Sequence, residues 1–232
     1  MGDEGGNMSV NIAIDGPAGA GKSTVAKMAA KELGFIYVDT GAMYRAMALY
    51  FLRQGIGPDE RERIEEGCED VDITIDYVNQ EQIVFLNGEN VTGLIRTEEV
   101  GNMASASSAV PKVRKKLVAL QQRLAQKRDV VMDGRDIGTV VLPDASVKIY
   151  LTADASVRAK RRYDELAAKG MQADLSEIEK DIIERDERDM TREASPLRRA
   201  EDAILIDSSD LTIPQVVEKI VCLAGAVTGT GE

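Results

Sequence analysis

Apolar residues along the chain fall into short continuous runs separated by longer stretches of helical periodicity. Residues 10–15 form the first run, an apolar strand ending in Asp15. Residues 25–33 read as a helix, which Gly34 stops. A second buried strand follows over 35–39, then a strongly apolar helix over 42–52 and a short charged helix over 58–70. The style then changes. Residues 71–77 alternate with period two, as a half-buried strand does. Residues 83–86 form a further strand, Asn87-Gly88 is a hairpin signal, and 90–92 can pair back. The segment 71–95 therefore predicts a small antiparallel insertion. Helices are expected over 96–108 and 111–127, and short buried strands over 129–133 and 147–151. Two helices over 154–169 and 174–194 flank Gly170, and a last strand (203–207) and helix (213–224) complete the pattern. Strands that alternate with helices predict an α/β fold: a parallel sheet, helices on both faces, and ligands at the carboxyl edge of the strands.

Composition narrows this. With 232 residues, 44% hydrophobic and 30% charged, the chain suits one core domain over 8–227 with an inserted subdomain. No apolar run is long enough to cross a membrane, and residues 1–7 are short and polar. Disordered tails are expected over 1–7 and 228–232. Cys68 and Cys222 read as buried free thiols of a cytoplasmic protein. There is no histidine, so catalysis by a His-based triad or a zinc–histidine site is excluded. A net charge of −11 argues against nucleic acid as a partner. Arginines nevertheless cluster locally, which suits pockets for small anions.

The first strand runs directly into Gly16-Pro17-Ala18-Gly19-Ala20-Gly21-Lys22-Ser23, followed by Thr24. Every fixed position of the G-x-x-x-x-G-K-[ST] phosphate-binding loop is present. Glycines let successive N–H groups converge on an anion, Lys22 supplies a mobile charge for the outer phosphates, and the Ser23 hydroxyl can ligate magnesium. The Asn-Lys-x-Asp guanine reader of GTPases is missing. Arg185, Arg188, Asp189 and Arg192 fall within about a 100° sector of one helix face, and Arg158 and Arg162 lie one turn apart on the preceding helix. A solvated, ion-paired face explains these arginines as well as a polyanion site does. The loop tips the balance towards a small-molecule kinase, since phosphoryl transfer relies on positioning and charge neutralisation.

Three segments sharpen the reading: Asp39-Thr40-Gly41-Ala42-Met43-Tyr44-Arg45, Asp133 to Val141 (DGRDIGTVV), and Glu184-Arg185-Asp186-Glu187-Arg188-Asp189. Together they resemble the signature segments of bacterial cytidylate kinases, and the resemblance runs from about Val10 to Ala224, insertion included. It implies a three-layer P-loop kinase fold of the nucleoside monophosphate kinase group. That fold has a five-stranded parallel sheet, the 71–95 insertion on the monophosphate side and a helical lid over 158–192. The implied reaction takes ATP and CMP or dCMP to ADP and CDP or dCDP, with magnesium as cofactor. By the same resemblance, Thr40, Arg45, Ser105, Arg114, Arg135, Asp136, Arg185, Asp189 and Arg192 match the monophosphate site, and Arg158 and Arg162 match lid arginines near ATP. Arg45 and Arg135 would hold the acceptor phosphate. Lys22, Arg162, Arg188 and Arg192 would surround the transferring group, and Ser23 would help hold the metal. Either Asp39 or Asp133, both at strand ends, could bind the metal's waters or simply make strand-end hydrogen bonds. A monomer is expected. Other acceptors (UMP, AMP or shikimate) and a non-catalytic nucleotide switch are the competing readings; acceptor-site residues discriminate the first and the absence of switch motifs opposes the second.

Overall fold

The computed structural model describes residues 9–228. The expected disorder of 1–7 and of the tail lies outside it, except that the last helix continues as far as Thr228.

Five parallel strands form the main sheet: β1 (Asn11–Asp15), β2 (Ile36–Asp39), β6 (Val130–Gly134), β7 (Val147–Thr152) and β8 (Ile204–Asp207). Their spatial order is β2-β6-β1-β7-β8. Alternate residues of each strand serve opposite faces. Ala13 and Met132 pack with Met43, Met47 and Phe51 of α2 (Thr40–Arg53) and with α4 (Glu98–Ser107) and α5 (Pro111–Ala125). Ile12, Ile14 and Val131 pack on the other face against α1 (Lys22–Leu33) and α8 (Ile213–Thr228). Burial on both faces explains why these strands read as continuous apolar runs.

A separate three-stranded antiparallel sheet comprises β3 (Ile73–Val78), β4 (Glu81–Leu86) and β5 (Glu89–Asn90). Asn87 and Gly88 both take positive φ between β4 and β5, the geometry a two-residue hairpin requires. β5 is shorter than the sequence pattern suggests, because Val84 N–H is taken by the Thr92 hydroxyl instead of a strand carbonyl. The short helix α3 covers only Arg61–Gly67, and α4 starts beyond Arg96 because Thr97 caps it by accepting from Val100 N–H. The hairpin of α6 (Ala155–Ala168) and α7 (Leu175–Thr191) turns at Gly170. Cys68 is buried, but Cys222 is exposed, contrary to expectation, on the outer side of α8.

One element has no signature in the periodicity: a single π-helical turn over Ile137–Val141, directly after β6.

Register gathers the polar strand ends. Asp15 lies beside Gly134 and Tyr150, and Asp39 beside Asp133. Hence β1, β2 and β6 deliver three carboxylates to one carboxyl edge, as the topology of open α/β sheets requires of a ligand site.

Candidate active site

The phosphate loop leaves β1 at Gly16. A Cβ at this position would lie 1.9 Å from the Leu151 carbonyl oxygen, so only glycine allows the loop to pass β7 so closely. Lys22 and Ser23 open α1, whose first-turn N–H groups face the loop. Lys22 is buried, and its ammonium donates to the Pro17 carbonyl at 2.7 Å. Burial, and then the Arg135 guanidinium, hold it well below the ordinary lysine range.

The two strand-end acids divide their duties. Asp39 caps α2 by accepting from Ala42 N–H and pairs with Arg96 at 2.5 Å, while Gln82 of the insertion bonds its backbone N–H and C=O. Asp133 instead accepts from the Ser23 hydroxyl at 3.0 Å and from Tyr37 at 2.8 Å. Burial, followed by the nearby Asp39 charge, raises the Asp133 carboxyl to about 6. A serine hydroxyl and an adjacent carboxylate are the hard oxygen donors magnesium takes, with phosphate and water oxygens completing its shell. Among the described residues no group of three or more His, Cys, Asp or Glu side chains is placed to hold a metal ion.

A cavity of about 870 Å³ joins this edge to α2, α4, α5, α6 and α7. Ala18 to Thr24, from the phosphate-loop motif and the start of α1, line one end. Thr40, Arg45, Ser105, Arg114, Arg135, Asp136, Arg185, Asp189 and Arg192 line its other end. Arg114 and Asp136 are both buried and directly paired; Arg114 also lies over the Tyr44 ring at 5.6 Å. Arg192 reaches Asp136 at 4.0 Å and donates to the Ser195 carbonyl. Arg135 donates to Asp189 at 2.9 Å. Burial pushes the Asp189 carboxyl up, yet Arg135, Arg185 and Arg192 outweigh it and leave it below the usual carboxylate range. Thr40 donates its hydroxyl to the Asp133 carbonyl. Arg185 Nε and one terminal nitrogen of Arg192 are buried without a hydrogen-bond partner, and such donors favour an anionic occupant.

The remaining arginines differ in their surroundings. Arg158 is a buried strut, donating to the carbonyls of Ala153 and Ala18 and to Asp186. It ties α6 and α7 to the phosphate loop. Arg162 lines the cavity but is exposed and paired with Glu165. Arg188 is exposed and outside the cavity lining; Gly16 and Pro17 also lie outside the lining, but are buried. The helix expected over 174–194 ends at Thr191, so Arg192 is not on the helix face with Arg185 and Arg188 but follows it as the C-cap in extended backbone. Arg185 and Arg192 line the cavity, whereas Arg188 does not.

The profile of the family described as cytidylate kinase matches residues 12–225. The chain belongs to the cytidylate kinase family. A cytidylate kinase of Caldicellulosiruptor bescii is 54% identical over 211 residues, covering 91% of this chain and 93% of that protein. The cytidylate kinase of Carboxydothermus hydrogenoformans is 50% identical, covering 93% and 97%. Among solved structures, a gluconokinase from Sinorhizobium meliloti superposes with a TM-score of 0.50 at 13% identity, covering 96% of this chain and 95% of its own. An uncharacterized protein from Eubacterium ventriosum gives 0.52 at 14%, covering 94% and 99%. Those two likenesses speak for the fold alone.

For this family member, sequence reasoning missed Tyr37, Arg96, Arg161 and Asp15. Arg161 lines the cavity and donates to the Ser208 carbonyl. Asp15 had a signal available: an acid closing an otherwise apolar strand, immediately before the phosphate loop.

Proposed function

We propose that this enzyme transfers the γ-phosphate of ATP to CMP or dCMP, giving ADP and CDP or dCDP, with magnesium as cofactor. The observation that carries the choice of acceptor is the buried Arg114–Asp136 pair in the same cavity as the phosphate loop. Cytosine presents an amino donor at N4 and acceptors at N3 and O2. Asp136 accepts from the amine while Arg114 donates to the ring, an arrangement uracil reverses at both positions. Ser105 lines the same end and completes the base pocket.

The acceptor phosphate is ionised near neutral pH, with a second pKa of about 6, so it needs no general base. It needs cations, because one anion must approach another. Arg45 and Arg135 hold the acceptor phosphate, and Arg185 and Asp189 hold the sugar. Lys22, Arg162, Arg188 and Arg192 neutralise the transferring group, and Arg158 fixes the loop against the lid. Ser23 and Asp133 would hold magnesium, which would offset charge on the triphosphate. Residues 8–227 act as one kinase domain, 71–95 serve the acceptor side, and 158–192 form the lid that excludes water.

The same reading includes a monomer in the cytoplasm, without nucleic acid or membrane as partner. Two free cysteines and a net charge of −11 support it. Among the described residues no helix is long and apolar enough to cross a membrane.

The test is a coupled assay of ADP release with CMP, dCMP, UMP and AMP. CMP and dCMP should give the highest kcat/KM. Preference for UMP or AMP would overturn the choice of acceptor.

A further inference from the structure

Asp15 is only 4% exposed, and it makes no direct bond to the phosphate loop or to the arginine cluster, though the Lys22 charge acts on it. Its two carboxylate oxygens accept from Ile137 N–H and Gly138 N–H, each at 2.7 Å. These are the opening N–H groups of the π-helical turn, the ones that a helical turn cannot satisfy internally. The turn's later amides bond back within it: Val140 and Val141 donate to the Asp136 carbonyl, and Leu142 to that of Ile137. Asp15 thus caps, from 122 residues away, the turn that begins beside Asp136.

The approach is close. A Cβ on Gly138 would meet Lys148 Cδ at 3.3 Å and Asp15 Oδ2 at 3.4 Å. Glycine therefore lets the turn sit down on the carboxylate. Meanwhile Asp15 immediately precedes Gly16, the first residue of the phosphate loop, and sits in register beside Gly134. One buried acid joins the loop that takes the donor to the backbone that carries Arg135 and Asp136.

We propose that Asp15 is a positioning residue for acceptor selection: through the amides of Ile137 and Gly138 it sets where the Asp136 carboxylate stands. It touches no substrate and acts through the turn. A rotation of that turn would move Asp136 relative to Arg114, and discrimination between cytosine and uracil depends on both partners being in place. The inference rests on Asp136 reading the base.

Asp15→Asn keeps the size but can accept only one of the two N–H groups, and its NH₂ faces the other donor. With CMP and UMP as acceptors, this variant should lower the CMP-to-UMP ratio of kcat/KM by about tenfold or more and raise KM for CMP similarly, because buried polar mispairing is discriminating. KM for ATP should stay within about twofold. Amide exchange at Ile137 and Gly138 should quicken. Asp15→Glu, which keeps both acceptors but is one methylene longer, gives a smaller shift in the same direction and serves if the asparagine variant does not fold. Asp136→Asn is measured beside them. If it changes the ratio while both Asp15 variants leave it at the wild-type value, Asp15 does not position the base reader. An ATP KM that rises as much as the CMP KM assigns Asp15 to the phosphate loop and overturns the proposal. If Asp136→Asn leaves the ratio unchanged, base reading by Asp136 fails and takes this inference with it.

Discussion

The Ser23 hydroxyl donates to Asp133 Oδ2 at 3.0 Å, bridging the first turn of α1 and the end of β6. Asp39, the other acid at that edge, is occupied by a helix cap and an arginine. The two strand ends look equivalent in sequence, and only their partners separate them.

From this follows a contrast between two variants. Asp133→Asn should lower kcat by about 10²–10³ and raise the magnesium concentration needed for half-maximal rate. Asp39→Asn should act mainly on stability, by about 1 kcal/mol for a lost cap. A magnesium titration of both variants checks this; equal or larger metal dependence in Asp39→Asn would reverse the assignment.

Lys22→Ala removes a buried cation that, on the proposed function, neutralises the transferring group. Turnover should fall by about 10³–10⁵, with the thermal midpoint little changed, since the lysine's burial is itself unfavourable to its charge. Retention of more than about a tenth of wild-type turnover would remove Lys22 from the transferring group.

Much of this was legible in the chain. Strands buried on both faces wrote themselves as apolar runs, and the phosphate loop is a fixed-spacing motif whose residue types follow from its chemistry. The β insertion announced itself through period two and Asn87-Gly88. What stayed hidden depends on distant partners. The local cap on Ala42 N–H marks Asp39, but the partners that complete the division, Tyr37 for Asp133 and Arg96 for Asp39, are brought in by the fold. The π-helical turn lacks a periodic signature, being held by Asp15 across the sheet. Arg158 and Arg162 share a helix face, yet only Arg158 finds Asp186 and becomes buried.

Arg162 and Arg188 are exposed, and Arg188 lies outside the cavity. To neutralise the transferring phosphate they must swing inward, so α6 and α7 should close when both nucleotides are bound. Hydrogen exchange in α6 and α7 should slow with ADP and CMP together, more than with either alone. Unchanged exchange in the ternary complex would mean that these arginines act elsewhere.

Burial raises the Asp15 carboxyl from 3.8 to about 6, with Asp136 adding to the rise and the two backbone amides and Lys22 opposing it. Tyr150, its neighbour on β7, also faces it. Between those two pH values the folded protein binds more protons than the unfolded chain, so stability from this group falls as pH rises through the window. Wild type should therefore lose stability relative to Asp15→Asn between about pH 4 and pH 6, and the difference should level off above. Denaturant midpoints of the two proteins across that range measure it. A gap that widens in favour of wild type with rising pH would show a depressed, not a raised, carboxyl.

On the proposed function, Asp189 serves both fold and substrate. It accepts from Arg135 Nε with one oxygen, and the arginines around it keep it ionised despite its burial. Asp189 lines the cavity, and on the proposed function its remaining acceptor capacity takes a hydrogen bond from a ribose hydroxyl. Asp189→Ala removes that acceptor and also frees Arg135 from its anchor. KM for CMP should rise by about 10- to 100-fold, the cost of a lost charged hydrogen bond, while KM for ATP changes little. Steady-state kinetics with each substrate varied in turn decide the matter. Equal increases in both KM values would mean that Asp189 supports the α6–α7 hairpin as a whole and has no particular part in holding the sugar.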